Sequence, residues 1–130
     1  MLHRRSPFEF WQSVTGSLNA NETPAEAARR ELFEETGLTD EGTLSDKHRS
    51  RTFTIDPRWR NRYAPDVSDN TEYEWHFRLA DITDVSIDEA EHTVCRWTSI
   101  DEAIESVWSW TNKEALLALR TELRQGQQPV

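Results

Sequence analysis

The stretch from Thr23 to Gly37 carries its own start and stop signals for a helix, and this fixes the relative positions of every charge inside it. Thr23 is a good N-cap, Pro24 suits the first helical position, and Glu26 completes a Thr-x-x-Glu capping box. Gly37 supplies a left-handed stop. These signals predict a helix over residues 24–36. At about 100° per residue, Glu31, Glu34 and Glu35 fall on one arc, because positions i, i+3 and i+4 are neighbours. Ala27 lies beside them one turn earlier and is small enough to leave room for a ligand. Ala25, Ala28 and Leu32 form an adjoining apolar stripe expected to face a core, while Glu26, Arg29 and Phe33 point to solvent.

Three carboxylates packed this closely repel one another by a few tenths of a kcal/mol, roughly, per pair even when solvated. One reading is a solvated acidic face relieved by Arg29 and Arg30. The other is a site for a hard divalent cation, since Mg²⁺ and Mn²⁺ prefer carboxylate oxygens and bridge to phosphates. The glycine-marked turn at Gly16, just ahead of the helix, favours the second reading.

Gly16, Glu22, Arg30, Glu31, Leu32, Glu34, Glu35, Gly37 and Leu38 fill every specified position of the Nudix box, G-x5-E-x7-R-E-U-x-E-E-x-G-U with U aliphatic. Seven positions demand one residue type, so a chance match at one site is on the order of one in 10⁸. The chain therefore resembles the Nudix hydrolases. The resemblance implies an α/β/α sandwich with a mixed sheet and hydrolysis of a diphosphate linkage. It implies Glu31 and Glu35 as metal ligands and Glu34 as a further ligand or a proton acceptor, so that the catalytic set is Glu31, Glu34 and Glu35. Glu22 becomes an outer partner and Arg30 an orienting ion pair. A narrower resemblance, to the branch that hydrolyses dihydroneopterin triphosphate in folate synthesis, rests on 10–17, Arg62-Tyr63-Ala64-Pro65, Asn70-Thr71-Glu72, Glu91-His92 and Trp110-Thr111-Asn112. It implies release of pyrophosphate from that triphosphate, with Mg²⁺, or alternatively Mn²⁺, as cofactor. Hydrolysis of purine nucleoside triphosphates, a ligand-binding module and a shortened inactive chain are the alternatives. The same resemblance implies a strand region ahead of the position of Leu2; without it a sheet edge would be left unpaired, so either the chain starts upstream of Met1 or another element fills the gap.

With 130 residues, the chain is expected to form one domain. A net charge of −9 gives no basic field to collect a nucleic acid, although bound cations reverse the local sign for a small anionic substrate. Cys95 is the single cysteine, so an internal disulfide is ruled out, and it reads as a strand-core residue. No apolar run of membrane length and no leader signal are present, which makes the cytoplasm the default location and a membrane partner unexpected. Oligomeric state is not encoded legibly.

Along the chain, strands are expected at 10–15, 51–55, 72–79 and 92–98, with polar turns over 39–46 and an irregular loop over 57–70. Two further helices are expected: 99–106 capped by Ser99, and 111–123 capped by Thr111, each with a glutamate three residues on. Residues from 125 onward form a polar tail.

Other residues could complete a site. By resemblance Glu91 is a metal ligand added from a loop opposite the helix, against a plain surface glutamate beside Asp88 and Glu89; His92 reads as structural. Arg4 and Arg5 could fork a phosphate tail, with Arg4 favoured by resemblance, or form a solvated basic end. Thr15 could offer its hydroxyl or backbone to substrate. Arg58, Trp59, Arg60, Arg62 and Tyr63 mix cations with rings, a pattern that can bind single-stranded nucleic acid, can equally stack a pterin and steer its triphosphate, or can be a mobile loop with solvated arginines. Phe53, Thr54, Ile55 and Asp56 just before them could shape the pocket wall. In the cluster Trp108, Ser109, Trp110, Thr111 and Asn112, Ser109 is the expected polar substrate contact; core packing and capping are the competing roles.

Overall fold

The computed structural model describes residues 1–4, 9–16, 18–62, 66–87, 92 and 94–126. Strand β1 (Leu2–Arg4) is followed by β2 (Phe10–Gln12), helix α1 (Pro24–Thr36) and strand β3 (Gly42–Thr54). A 3₁₀ turn (Pro57–Arg62) leads to β4 (Asp69–Leu79), β5 (Val94–Cys95), α2 (Ile100–Ser106) and α3 (Trp110–Gly126). The described strands form two antiparallel sheets, ordered β2-β1-β5 and β3-β4, and the three helices complete a mixed α/β fold. One parallel bridge, Trp11 to Val107, ties β2 to the end of α2.

Strand β1 holds the central place in its sheet. Its register sets Leu2 opposite Gln12 and Arg4 opposite Phe10, and all four are buried on one face. Residues 2–4 thus pair with β2 on one side and with β5 on the other.

Helix α1 begins and ends where its caps place it. Thr23 Oγ1 accepts the Glu26 N–H at 3.2 Å, and Gly37 adopts φ 75° while its N–H donates to Phe33 O at 2.8 Å. Its buried positions are Ala27, Glu35 and Thr36, whereas Ala25, Ala28 and Leu32 are only half-buried. The inward face is thus the one carrying Ala27 and Glu35, not the alanine stripe. The outward turn of Glu26, Arg29 and Phe33 agrees with the sequence.

Strand β3 starts at Gly42, nine residues ahead of the expected strand at 51, and 42–46 is strand rather than turn. Leu44 is the single apolar residue between 42 and 50, so no alternation marks the strand; its ladder to β4, with Leu44 opposite Phe77, makes it. Between Asp46 and Ser50 the register shifts at a bulge, with His48 at φ 55°. Around this bulge Glu74 becomes the hub of an ion network. It accepts from Arg49, from Arg51 at 2.7 Å and from His76 at 2.7 Å, while Arg49 also reaches Glu122 at 2.9 Å and Arg51 reaches Glu114 at 3.0 Å. The network ties the β3–β4 ribbon to α3.

Strand β5 is two residues long, shorter than the expected 92–98. Helix α2 starts behind Ser99 as read from its capping box. Helix α3 starts earlier than expected: Ser109 O accepts the Lys113 N–H at 3.0 Å, so Ser109 rather than Thr111 holds the cap position, and Thr111 is buried inside the first turn. Among the described residues the buried apolar ones are Leu2, Phe10, Ala27, Leu38, Ile55, Ala103 and Val107, against eight buried polar or charged ones. That balance marks an interior organised around polar contacts.

Burial pushes the Glu74 carboxyl up, but its hydrogen bonds from Arg49, Arg51 and His76 outweigh this and hold it at about 2. The folded value lies below the unfolded one near 4.5, so the stabilisation is full above pH 4.5 and is lost as pH falls through about 2. Glu74→Gln is expected to lower stability by about 2–3 kcal/mol at pH 7, with the gap to the parent narrowing below pH 4.5. Urea melts across this pH range check it, and a gap independent of pH would contradict the network.

Candidate active site

The acidic face of α1 lies against the turn that leaves β2. Thr15 N–H donates to Glu35 Oε2 at 3.1 Å, and the Glu35 side chain is 2% exposed. His92, fully buried, stands with Nε2 at 3.5 Å from Glu35 Oε1. The Gln12 amide is hydrogen-bonded to that same ring nitrogen at 2.8 Å. One residue further on, Ser13 donates both its N–H and its hydroxyl to Asn112 Oδ1, each at 2.9 Å. The turn is therefore held at residues 12, 13 and 15 by side chains from three separate parts of the chain.

Gly16 closes this turn on Glu31. A Cβ built at Gly16 would stand 1.9 Å from Glu31 Cδ and 2.2 Å from its Oε1, so the carboxylate occupies the space a side chain would fill. Beside it, Arg30 gathers the remaining acids. Its Nη1 donates to Glu31 Oε1 at 2.6 Å and to Glu34 Oε2 at 3.2 Å, and its Nε and Nη2 take Glu22 bidentately at 2.7 and 2.9 Å. The Arg30 hydrogen bonds, with one from the Asn19 N–H, hold the Glu22 carboxyl down at about 2. The close charges on α1 are thus partly neutralised by a guanidinium of the same helix.

Glu31, Glu34 and Glu35 differ in access. Their side chains are 17%, 53% and 2% exposed, so Glu34 meets water and Glu35 does not. Hard carboxylate oxygens are the donor chemistry a divalent cation of the Mg²⁺ type takes. Among the described residues, no three His, Cys, Asp or Glu side chains stand close enough to share one metal ion. Glu91 and Arg5 lie outside the described residues, as do Tyr63 and the side chains of Arg60 and Arg62.

The structure joins two segments that are far apart in the sequence. Trp59 and Trp108 approach to 5.5 Å between ring centroids, and each packs on Phe10, at 5.7 and 5.6 Å. Arg58 lies over the Trp108 ring at 5.6 Å and grips Asp56 with two bonds of 2.9 and 2.7 Å. The hydrogen bonds from the Arg58 side chain and N–H hold the Asp56 carboxyl at about 2. Phe53 and Thr54 end strand β3, and Ile55 is 2% exposed with its N–H on Ser68 O. Arg4 is buried on the same sheet face as Phe10 and Gln12. Ser109 Oγ pairs with Thr111 Oγ1 at 2.6 Å. Burial pushes the nearby Glu72 carboxyl up, against the hydrogen bond from Thr111 and the charge of Arg51.

Sequence reasoning did not identify Gln12 as a site residue and treated His92 as structural. A lone glutamine in a short strand gives no pattern, and its partner lies 80 positions away. Two open recesses of about 310 and 350 Å³ lie elsewhere, one against the outer side of α1 at Arg29 and Leu32, the other beside the β3 bulge at His48 and Trp75.

A family model described as NUDIX domain matches residues 1–119. The chain is 40% identical over 119 residues to a protein of Escherichia coli (strain K12) named dihydroneopterin triphosphate diphosphatase, covering 89% of this chain and 78% of that one. A protein of the same name from Haemophilus influenzae is 36% identical over 128 residues, covering 95% and 79%. The solved structure of the E. coli dihydroneopterin triphosphate pyrophosphohydrolase superposes with a TM-score of 0.83 at 37% identity, covering 89% and 80%.

The crowding at Gly16 gives a direct test. Gly16→Ala should fold, because the obstacle is the far end of a flexible side chain, with Tm within about 4 °C of the parent. The Glu31 carboxylate should leave its place and its bond to Arg30. Side-chain carboxyl NMR would register this, and an unmoved Glu31 resonance would refute the contact.

Proposed function

This chain belongs to the NUDIX family, and we propose that it is a divalent-cation-dependent hydrolase that splits dihydroneopterin triphosphate into the monophosphate and pyrophosphate. The family acts on phosphoric anhydrides. The names of the relatives at 36–40% identity supply the substrate. The observation that carries the site is the buried Glu35, held by Thr15 beside the Gly16–Glu31 contact.

Nudix hydrolases generally use divalent metal ions, and we assign Mg²⁺, with Mn²⁺ as the substitute. Glu31, Glu34, Glu35 and Glu91 are the residues that would hold it. When bound, such a cation neutralises charge on phosphate oxygens and lowers the pKa of a water. The protein's own groups divide the remaining work. Glu35, out of water and fixed by Thr15, keeps one carboxylate in a constant position. Glu34, the most exposed of the three, is the group that water reaches, and we assign it as the proton acceptor. Arg30 relieves the repulsion among Glu22, Glu31 and Glu34.

Substrate contacts follow from position. Arg4 offers a cation for the phosphate tail. The Thr15 N–H is committed to Glu35, which leaves its hydroxyl for substrate. Phe53, Thr54, Ile55 and Asp56, with Trp59 and Trp108, would border the flat heterocycle, and Ser109 would meet its polar edge. We take residues 1–130 as one domain. A multiply charged triphosphate does not cross a bilayer unaided, so we place the enzyme in the cytoplasm.

Glu35→Gln should reduce Mg²⁺-dependent turnover at least about a hundredfold with little change in far-UV circular dichroism; near-parental rates would remove Glu35 from the site. Pyrophosphate should be the released product, so a phosphate assay should respond only after inorganic pyrophosphatase is added. Turnover of dihydroneopterin triphosphate should exceed that of dATP and 8-oxo-dGTP measured side by side, and a preference for either nucleotide would reassign the substrate.

A further inference from the structure

Asn112 belongs to the first turn of α3. It is 5% exposed, and its Oδ1 accepts two hydrogen bonds from one residue of another element, Ser13 N–H and Ser13 Oγ, both at 2.9 Å. Ser13 immediately follows β2 and begins the turn that contains Thr15 and Gly16. Thr15 holds Glu35, and the Gly16 backbone sets how closely the turn meets Glu31. We propose that Asn112 is a positioning residue for the acidic site: by clamping Ser13 it fixes the turn against which the Glu35 and Glu31 carboxylates are placed.

The geometry argues for a role beyond stability alone. A double acceptor on one residue restrains both its backbone and its side chain, so the start of the turn loses its freedom to swing. The other anchors act on either side: Gln12 on His92 before Ser13, and Thr15 on Glu35 after it. Without the Asn112 anchor, Thr15 N–H can drift from Glu35 while β2 stays paired to β1. The residue touches no reacting group in this account and acts through the turn. The proposal rests on the metal-site reading given above.

The test compares Asn112→Leu, which removes the acceptor at similar volume, with Asn112→Asp, which keeps it, in the full chain. The readouts are Mn²⁺ affinity by electron paramagnetic resonance, kcat and KM separately, Tm in chelator, and the Thr15 amide resonance in chelator. Asn112→Leu should weaken Mn²⁺ binding about tenfold or more, lower kcat more than it raises KM, and shift the Thr15 amide. Asn112→Asp should restore all of these to within about threefold, on the same outer-shell scale. A folded Asn112→Leu protein with lowered Tm but parental Mn²⁺ affinity and an unmoved Thr15 amide would overturn the proposal. If Asn112→Leu does not fold, Ser13→Ala, which removes one of the two bonds, carries the test in the same direction, and its failure to move the Thr15 amide would also overturn it. Should the parent protein bind no Mn²⁺, the metal reading fails by itself, and the Thr15 resonance in the two variants still decides the positioning role.

Discussion

A carboxylate held out of water is the constraint around which this fold is arranged. A carboxyl group at 2% exposure has lost its hydration and must be held by the protein's own polar groups. Glu35 has the Thr15 N–H on one oxygen and His92 beside the other. Those groups come from the exit of β2 and from the segment just before β5, so α1, the three-stranded sheet and the turn must be in register together. The small apolar core does not impose that register by itself. Buried polar contacts do, since each has few geometries in which it is satisfied.

Charge is organised in the same way at two places. Arg30 serves three acids of the α1 region, and Glu74 serves two arginines and a histidine across the β3–β4 ribbon. In a chain of net charge −9 these hubs confine repulsion to short distances. They also divide the labour. The Glu74 hub joins a ribbon to a helix, while the Arg30 hub leaves Glu34 half in water.

The bounds of helix α1 were legible because their signals are local, Thr23, Glu26 and Gly37 acting within one turn of the ends they set, whereas its buried face was not, because Ala27 and Glu35 rather than the Ala25, Ala28 and Leu32 stripe turn inward. The acidic arc follows from those ends by geometry alone, and the capping box of α2 was read in the same way. The extent of β3 was hidden because 42–50 contains one apolar residue and draws its stability from β4 and from ion pairs. The cap of α3 was misplaced because Thr111 is a good cap by type, yet its hydroxyl serves Ser109 and Glu72 instead. Of the candidate site, the shared arc of the α1 carboxylates was readable and the contacts that hold them were not. Gln12, Ser13 and Asn112 are ordinary polar residues whose meaning depends on partners about 80 to 100 positions distant. The aromatic wall was seen as two unrelated clusters, because nothing in the letters brings Trp59 to Trp108.

The bulge in β3 has a bearing on how the molecule behaves among its neighbours. The β3–β4 ribbon has, among the described residues, two strands and therefore two open borders of backbone donors and acceptors. A flat ribbon of that length would template strand addition by another chain. The irregularity between Asp46 and Ser50 twists it, and sets Lys47, His48 and Arg49 at the break in the ladder. Straightening that segment would shift the register that brings Arg49 and Arg51 to Glu74 and would leave a longer regular border, the kind of edge that another strand can extend.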